Sequence, residues 1–104
     1  MEIICRPRGA GKTTELINKA AEEFLYIVCF SHEEAQRVAE TARQLGKDIP
    51  QPITMDELIN AQFHEAGVKG FLIDNGEALI KRLARTVPVK LVTFTSNGGD
   101  KWTA

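Results

Sequence analysis

The sequence predicts an α/β domain built on a parallel sheet, and two observations carry that prediction. Short apolar runs of strand length occur at residues 3–5, 25–30, 70–73 and 90–95, and the segments between them repeat their apolar residues at helical spacing. Strands that alternate with helices are joined by crossovers, which favours parallel pairing. The size agrees. A chain of 104 residues with 43% hydrophobic and 26% charged residues holds one compact domain with a modest core, which excludes disordered, collagenous and membrane classes.

Each element has its own local reason. From near Gly11, Leu16, Ile17, Ala20, Ala21 and Phe24 fall on one stripe while Glu15, Asn18, Lys19, Glu22 and Glu23 lie mostly outside it, so this helix covers one face of the sheet. Ser31 and Glu34 form a capping-box pattern, and Ala35, Val38, Ala39, Ala42 and Leu45 then repeat at helical spacing until Gly46. Pro50 and Pro52 mark a loop or edge strand. Thr54 and Glu57 repeat the capping box before Leu58, Ile59, Gln62 and Phe63, which predicts a surface helix that stops at Gly67. A fourth helix over residues 77–86 carries Leu79, Ile80, Leu83 and Ala84 on one face, and Pro88 closes it. After the run at 90–95, Asn97-Gly98-Gly99-Asp100 breaks the pattern, so the domain spans residues 1–97 and residues 98–104 form a flexible tail.

Charge and cysteine usage narrow the function classes. Lys and Arg total 13 against 14 Asp and Glu, a formal charge of -1, so no global positive field draws the chain to nucleic acid or an acidic membrane; a nucleic-acid role would need a local basic patch. No apolar run approaches the about 20 residues of a spanning helix, and Met1-Glu2 leads into an apolar strand without a signal pattern. The expectation is a cytoplasmic protein with no membrane partner. Cys5 and Cys29 sit inside apolar runs and read as buried free thiols. His32 and His64 have no clustered partner at metal-ligand spacing and read as surface residues.

The chemistry concentrates in Arg6-Pro7-Arg8-Gly9-Ala10-Gly11-Lys12-Thr13-Thr14, which lies between an apolar strand and an amphipathic helix. Gly9 and Gly11 let backbone N–H groups wrap a phosphate with no Cβ in the way, the helix start adds positive dipole, Lys12 adds a point charge and Thr13 a hydroxyl for Mg²⁺. At the first position of such a loop, where Gly is usual, this chain has Arg6. Phe71-Leu72-Ile73-Asp74 is an apolar strand that ends in a carboxylate suited to holding Mg²⁺ through water at the carboxyl edge of a sheet. The plainer reading of Asp74-Asn75-Gly76 is a turn that ends a strand.

These residues resemble the Walker A and Walker B motifs of P-loop NTPases, in the additional-strand group that includes RecA-like ATPases, helicases and phage terminase motors. The resemblance covers about the first 97 residues. Tyr26-Ile27-Val28-Cys29-Phe30-Ser31, followed by Glu34-Ala35-Gln36, is similar to the strand and helix after the first motif of helicase motors; Pro52-Ile53-Thr54 and Leu91-Val92-Thr93-Phe94-Thr95-Ser96-Asn97 fit the later strands, the last as a sensor strand. The resemblance implies a three-layer sandwich with a mainly parallel sheet in which the four runs stand in the order 1-4-3-2. It also implies ATP, or another NTP, with Mg²⁺ as ligand. The nucleotide would be held by Arg8, Gly9, Ala10, Gly11, Lys12, Thr13, Thr14 and Ser96 and the metal by Thr13 and Asp74.

The residue after the Walker B Asp is usually a Glu that activates the attacking water, and here it is Asn75, which cannot accept the proton. The catalytic candidates are therefore Lys12, Asn75 and Glu77, with Glu77 one turn further on as a substitute base. A helicase-type motor also needs an arginine finger, which Arg82 and Arg85 could supply in trans if a protein partner or a second copy assembles with the chain; a solvated helix face is the plainer reading of both. The expected function is an accessory ATPase of phage or mobile-element type, with weak or partner-stimulated hydrolysis. Two alternatives stand beside it: a degenerate P-loop module that binds protein or nucleic acid without turnover, and a nucleoside kinase similar to type II thymidine kinases, which Gly11-Lys12-Thr13-Thr14-Glu15-Leu16-Ile17 resembles. The kinase alternative lacks the cysteines of a zinc lid.

Overall fold

The structure, a computed structural model, describes residues 12–64 and 66–93. Along the chain lie helix α1 (Lys12–Glu23), strand β1 (Tyr26–Cys29), helix α2 (His32–Gln44), strand β2 (Ile53–Thr54), helix α3 (Met55–Ile59), strand β3 (Phe71–Ile73) and helix α4 (Gly76–Ala84). β1 is central, with β2 on one side and β3 on the other, both parallel to it. Val28 pairs with Ile53 and Tyr26 with Phe71. The protein is thus α/β with a three-stranded parallel sheet among the described residues. The run at residues 3–5 and the tail over 98–104 lie outside them.

β1 is central because all four of its residues are apolar or aromatic and can be covered on both faces. Ile27 and Cys29 face one layer, where Ile17 and Ala20 of α1 and Ala35, Val38 and Ala42 of α2 close over them. Tyr26 and Val28 face the other, with Ile53 and Met55 and with Leu58, Phe63, Ala78 and Leu79 packed around them. The period-2 alternation of the strand therefore serves two small cores rather than one core and a solvated face. α1 delivers the chain to β1 through a turn at Phe24, whose φ of 55° is left-handed, and the Leu25 amide donates to the Ala20 carbonyl at 3.2 Å.

Both predicted capping signals are realised. The Ser31 hydroxyl accepts from the Glu34 amide at 3.2 Å, although the Glu34 carboxylate reaches the Phe30 amide rather than that of Ser31. At α3 the box is reciprocal: Thr54 Oγ1 accepts from the Glu57 amide at 3.1 Å and Glu57 Oε1 accepts from the Thr54 amide at 2.9 Å.

Two expectations need correction. The helix expected to run from the second box to Gly67 ends at Ile59, because Ala61 turns left-handed at φ 54° and Phe63 leaves the helical path to pack edge-on against Tyr26 and Phe71, with ring centroids 5.6 and 5.3 Å away. Burial of an aromatic ring outweighs the few tenths of a kcal/mol per residue that helix propensity offers. The expected strand over 90–95 is not formed at residues 90–93, which carry no strand pairing and leave Leu91 82% exposed; residues 94 and 95 lie outside the described set. Strand preference is decided by neighbours rather than by the run itself. Among the described residues no helix is long and apolar enough to cross a membrane.

The box at α3 gives a first expected outcome. Thr54 is 4% exposed and its hydroxyl satisfies an amide at a buried strand-to-helix junction, so Thr54→Ala should cost about 1–2 kcal/mol. Urea unfolding followed by circular dichroism should show a lower midpoint at an unchanged slope. An unchanged midpoint would mean that the cap does not stabilise this junction.

Candidate functional site

Three parallel strands place all their carboxyl ends on one edge of the sheet. Helices α2, α3 and α4 open directly from that edge, so their unpaired N–H groups and positive dipole ends gather there. α1 packs across β1 through Ile17 and Ala20 and ends just before β1 begins, which sets its first turn, Lys12-Thr13-Thr14, toward the same edge. Lys12 is half-buried, and Thr13 and Thr14 are exposed. Arg8, Gly9, Ala10, Gly11 and Ser96 lie outside the described residues.

Asp74 follows β3 at the edge and is half-buried. Its charge is felt by Cys29 at the end of the neighbouring strand. Burial pushes the Cys29 thiol up from 9.0 to about 12, the carboxylates of Glu34 and then Asp74 push in the same direction, and Arg37 opposes them. Cys29 is thus a neutral thiol inside the sheet, as its sequence context predicts. Cys5 lies outside the described residues.

Asn75 has a job that its position after a carboxylate did not reveal. It is the N-cap of α4, held at φ 64° and ψ 66°, and its Oδ1 accepts from the Ala78 amide at 3.3 Å. Asn tolerates this left-handed conformation better than most residues and caps helices well, so both features favour an amide here whatever the chemistry of the edge. The signal was present in Asp74-Asn75-Gly76, a turn signature. Glu77 is exposed in the first turn of α4, where its charge suits the dipole.

Arg82 is committed within the chain. Its Nε and NH2 donate to the two oxygens of Asp56 at 2.9 and 2.8 Å, a bidentate fork that ties α4 to the first turn of α3. The guanidinium, with a smaller contribution from His32, holds the Asp56 carboxyl below its ordinary value. Of the two arginines expected as candidate fingers, Arg82 is thereby engaged, and Arg85 is the exposed C-cap of α4 at φ 63°. A pairing across 26 residues of chain leaves no trace in local sequence.

Among the described residues, no group of three or more His, Cys, Asp or Glu converges to hold a metal, and His32 and His64 are exposed as expected. A hollow of about 490 Å³ opens at the opposite, amino end of β1 and β3, walled by Tyr26, Phe63 and Phe71. It lies away from Lys12 and Asp74 and belongs to the aromatic cluster that shortened α3. No protein-family model, curated protein or solved structure matches the chain.

The thiol supplies a pH-dependent outcome. Between 9.0 and about 12 an unfolded chain releases the Cys29 proton while the folded chain retains it, so stability is full below pH 9 and falls as pH rises toward 12. Cys29→Ala should flatten that alkaline slope in urea melts at stepped pH. At pH 8 the native protein should leave Cys29 unlabelled by a thiol reagent that reaches it once the chain is unfolded. Equal labelling of Cys29 in both states would contradict its burial.

Proposed function

We propose that the protein is a minimal P-loop nucleotide-binding domain that takes ATP with Mg²⁺ at the carboxyl edge of its sheet and hydrolyses it slowly unless a partner assists. The observation that carries the reading is a pairing of features at one edge: the Lys12-Thr13-Thr14 start of α1, preceded in sequence by Gly9-Ala10-Gly11, and Asp74 at the end of a parallel strand. Ligands of open parallel sheets bind outside the carboxyl ends of the strands. Lys12 would neutralise phosphate charge while N–H groups at the helix start donate to its oxygens. Asp74 and the Thr13 hydroxyl are hard oxygen donors, the set that Mg²⁺ accepts when phosphates and water complete its shell. When bound, the ion would supply charge neutralisation between the phosphates.

Calorimetric titration with ATP and GTP, with and without Mg²⁺, tests the reading. The expected result is saturable, Mg²⁺-strengthened binding that is lost in Lys12→Ala while the fold persists. Heat-silent titrations with every nucleotide would remove the reading and leave a binding module without nucleotide.

Turnover gives a second outcome. A positioned base contributes about 10²–10⁴-fold, and Asn75 cannot be one, so phosphate release by the isolated protein should be slow. Asn75→Asp keeps a capping oxygen and tolerates the left-handed backbone while supplying a carboxylate, so it should raise the rate. Asn75→Glu is the poorer variant, because it forfeits the cap. A fast wild-type rate abolished by Glu77→Gln would show instead that Glu77 is the base.

A further inference from the structure

We propose that the end of α4 and the turn after it form a docking surface for a protein segment that carries carboxylates around apolar side chains. Residues 78–90 contain Lys81, Arg82, Arg85 and Lys90 and no Asp or Glu. The rest of the chain then holds 9 Lys and Arg against 14 Asp and Glu, a charge of -5, so residues 78–90 are a locally basic stretch in an otherwise acidic chain. Arg82 is tied to Asp56, whereas Lys81, Arg85 and Lys90 are exposed. Beside them stand apolar side chains that a monomer gains nothing by exposing: Val87 at 69% and Val89 at 39%.

Lys81, Arg85, Thr86, Val87, Pro88 and Val89 line a hollow of about 250 Å³ here. An apolar floor with cationic walls is the arrangement in which one inserted apolar side chain is flanked by carboxylates. α4 itself contributes no buried residue, and its outer half is left uncovered among the described residues.

Charge selects the occupant. Residues 1–11 carry Glu2 against Arg6 and Arg8, and residues 94–104 carry Asp100 against Lys101, so neither segment has the acidic character to fill it. Face-to-face pairing of two copies would set basic stretches against each other. Single-stranded nucleic acid asks for aromatic stacking platforms among the cations, and residues 78–90 hold no aromatic side chain. An acidic and apolar protein segment meets every feature. The surface sits on the outer end of α4, beyond the Asp56 clasp, and does not depend on nucleotide binding.

The test is fluorescence anisotropy of the full chain with a labelled synthetic peptide that alternates Glu with Leu. Saturable binding is expected, weakened about tenfold by Lys81→Glu or Arg85→Glu and reduced by added salt. Val87→Ser should weaken it as well. Lys81 is exposed and mid-helix, so its variant carries the test if Arg85→Glu disturbs the left-handed C-cap. The proposal is overturned by absent binding, by equal binding of a Glu peptide without Leu, or by indifference to both charge reversals. It is equally overturned if a single-stranded oligonucleotide binds more tightly at the same residues, or if the variants abolish a concentration-dependent self-association instead. ATP titration of the same samples reports on the nucleotide site separately, so the two readings fail independently.

Discussion

The structure hangs on one strand that water does not reach. Tyr26, Ile27, Val28 and Cys29 are each 3% exposed or less, and each element that covers them is placed by that requirement. α1 and α2 close one face and α3 with the start of α4 closes the other, while β2 and β3 satisfy the backbone on both sides. A strand buried on both faces must offer no charge, so even its thiol is held neutral. Parallel pairing follows from the helical crossovers, and from parallel pairing follows the gathering of strand ends at one edge. The candidate chemistry is located by the core.

That edge balances opposing charge. Helix N-termini and Lys12 bring positive charge to it, while Asp74, Glu34 and Asp56 make it acidic, and the acids are managed differently. Glu34 accepts from the Phe30 amide, Asp56 is forked by Arg82, and Asp74 stands beside a buried thiol it cannot ionise. Exposed ion pairs contribute little to stability, but a bidentate one fixes geometry, and here it fixes α4, whose own burial is slight. Asn75 completes the arrangement by starting α4 from a left-handed residue.

What could be read in the sequence was what the chain decides locally. The helical stripes of α1 and α2 and the capping residues Ser31 and Thr54 are settled within a turn or two, and each stood where its pattern put it. The length of α3 was not legible, because Phe63 is claimed by Tyr26 and Phe71, which are distant in sequence. Nor was the Arg82–Asp56 fork, for the same reason. Residues 90–93 show the converse: a run with strand composition stays unpaired where no neighbour in the described sheet takes it. The candidate site was legible only as a set of residue types. Asp74 ends its strand at the carboxyl edge, whereas Asn75 proved to have a structural duty that its neighbour's chemistry concealed.

Hydrogen–deuterium exchange, with and without ATP and Mg²⁺, bears most directly on the claim that this edge is where the protein works. β1 should be the most protected segment in either condition, since it opens only when the two cores open. Added nucleotide should slow exchange at the first turn of α1 and at the turn from Asp74 to Ala78, and should leave the aromatic end of the sheet unchanged. Protection that appears only around Phe63 and Phe71, or nowhere, would contradict the assignment of function to the carboxyl edge.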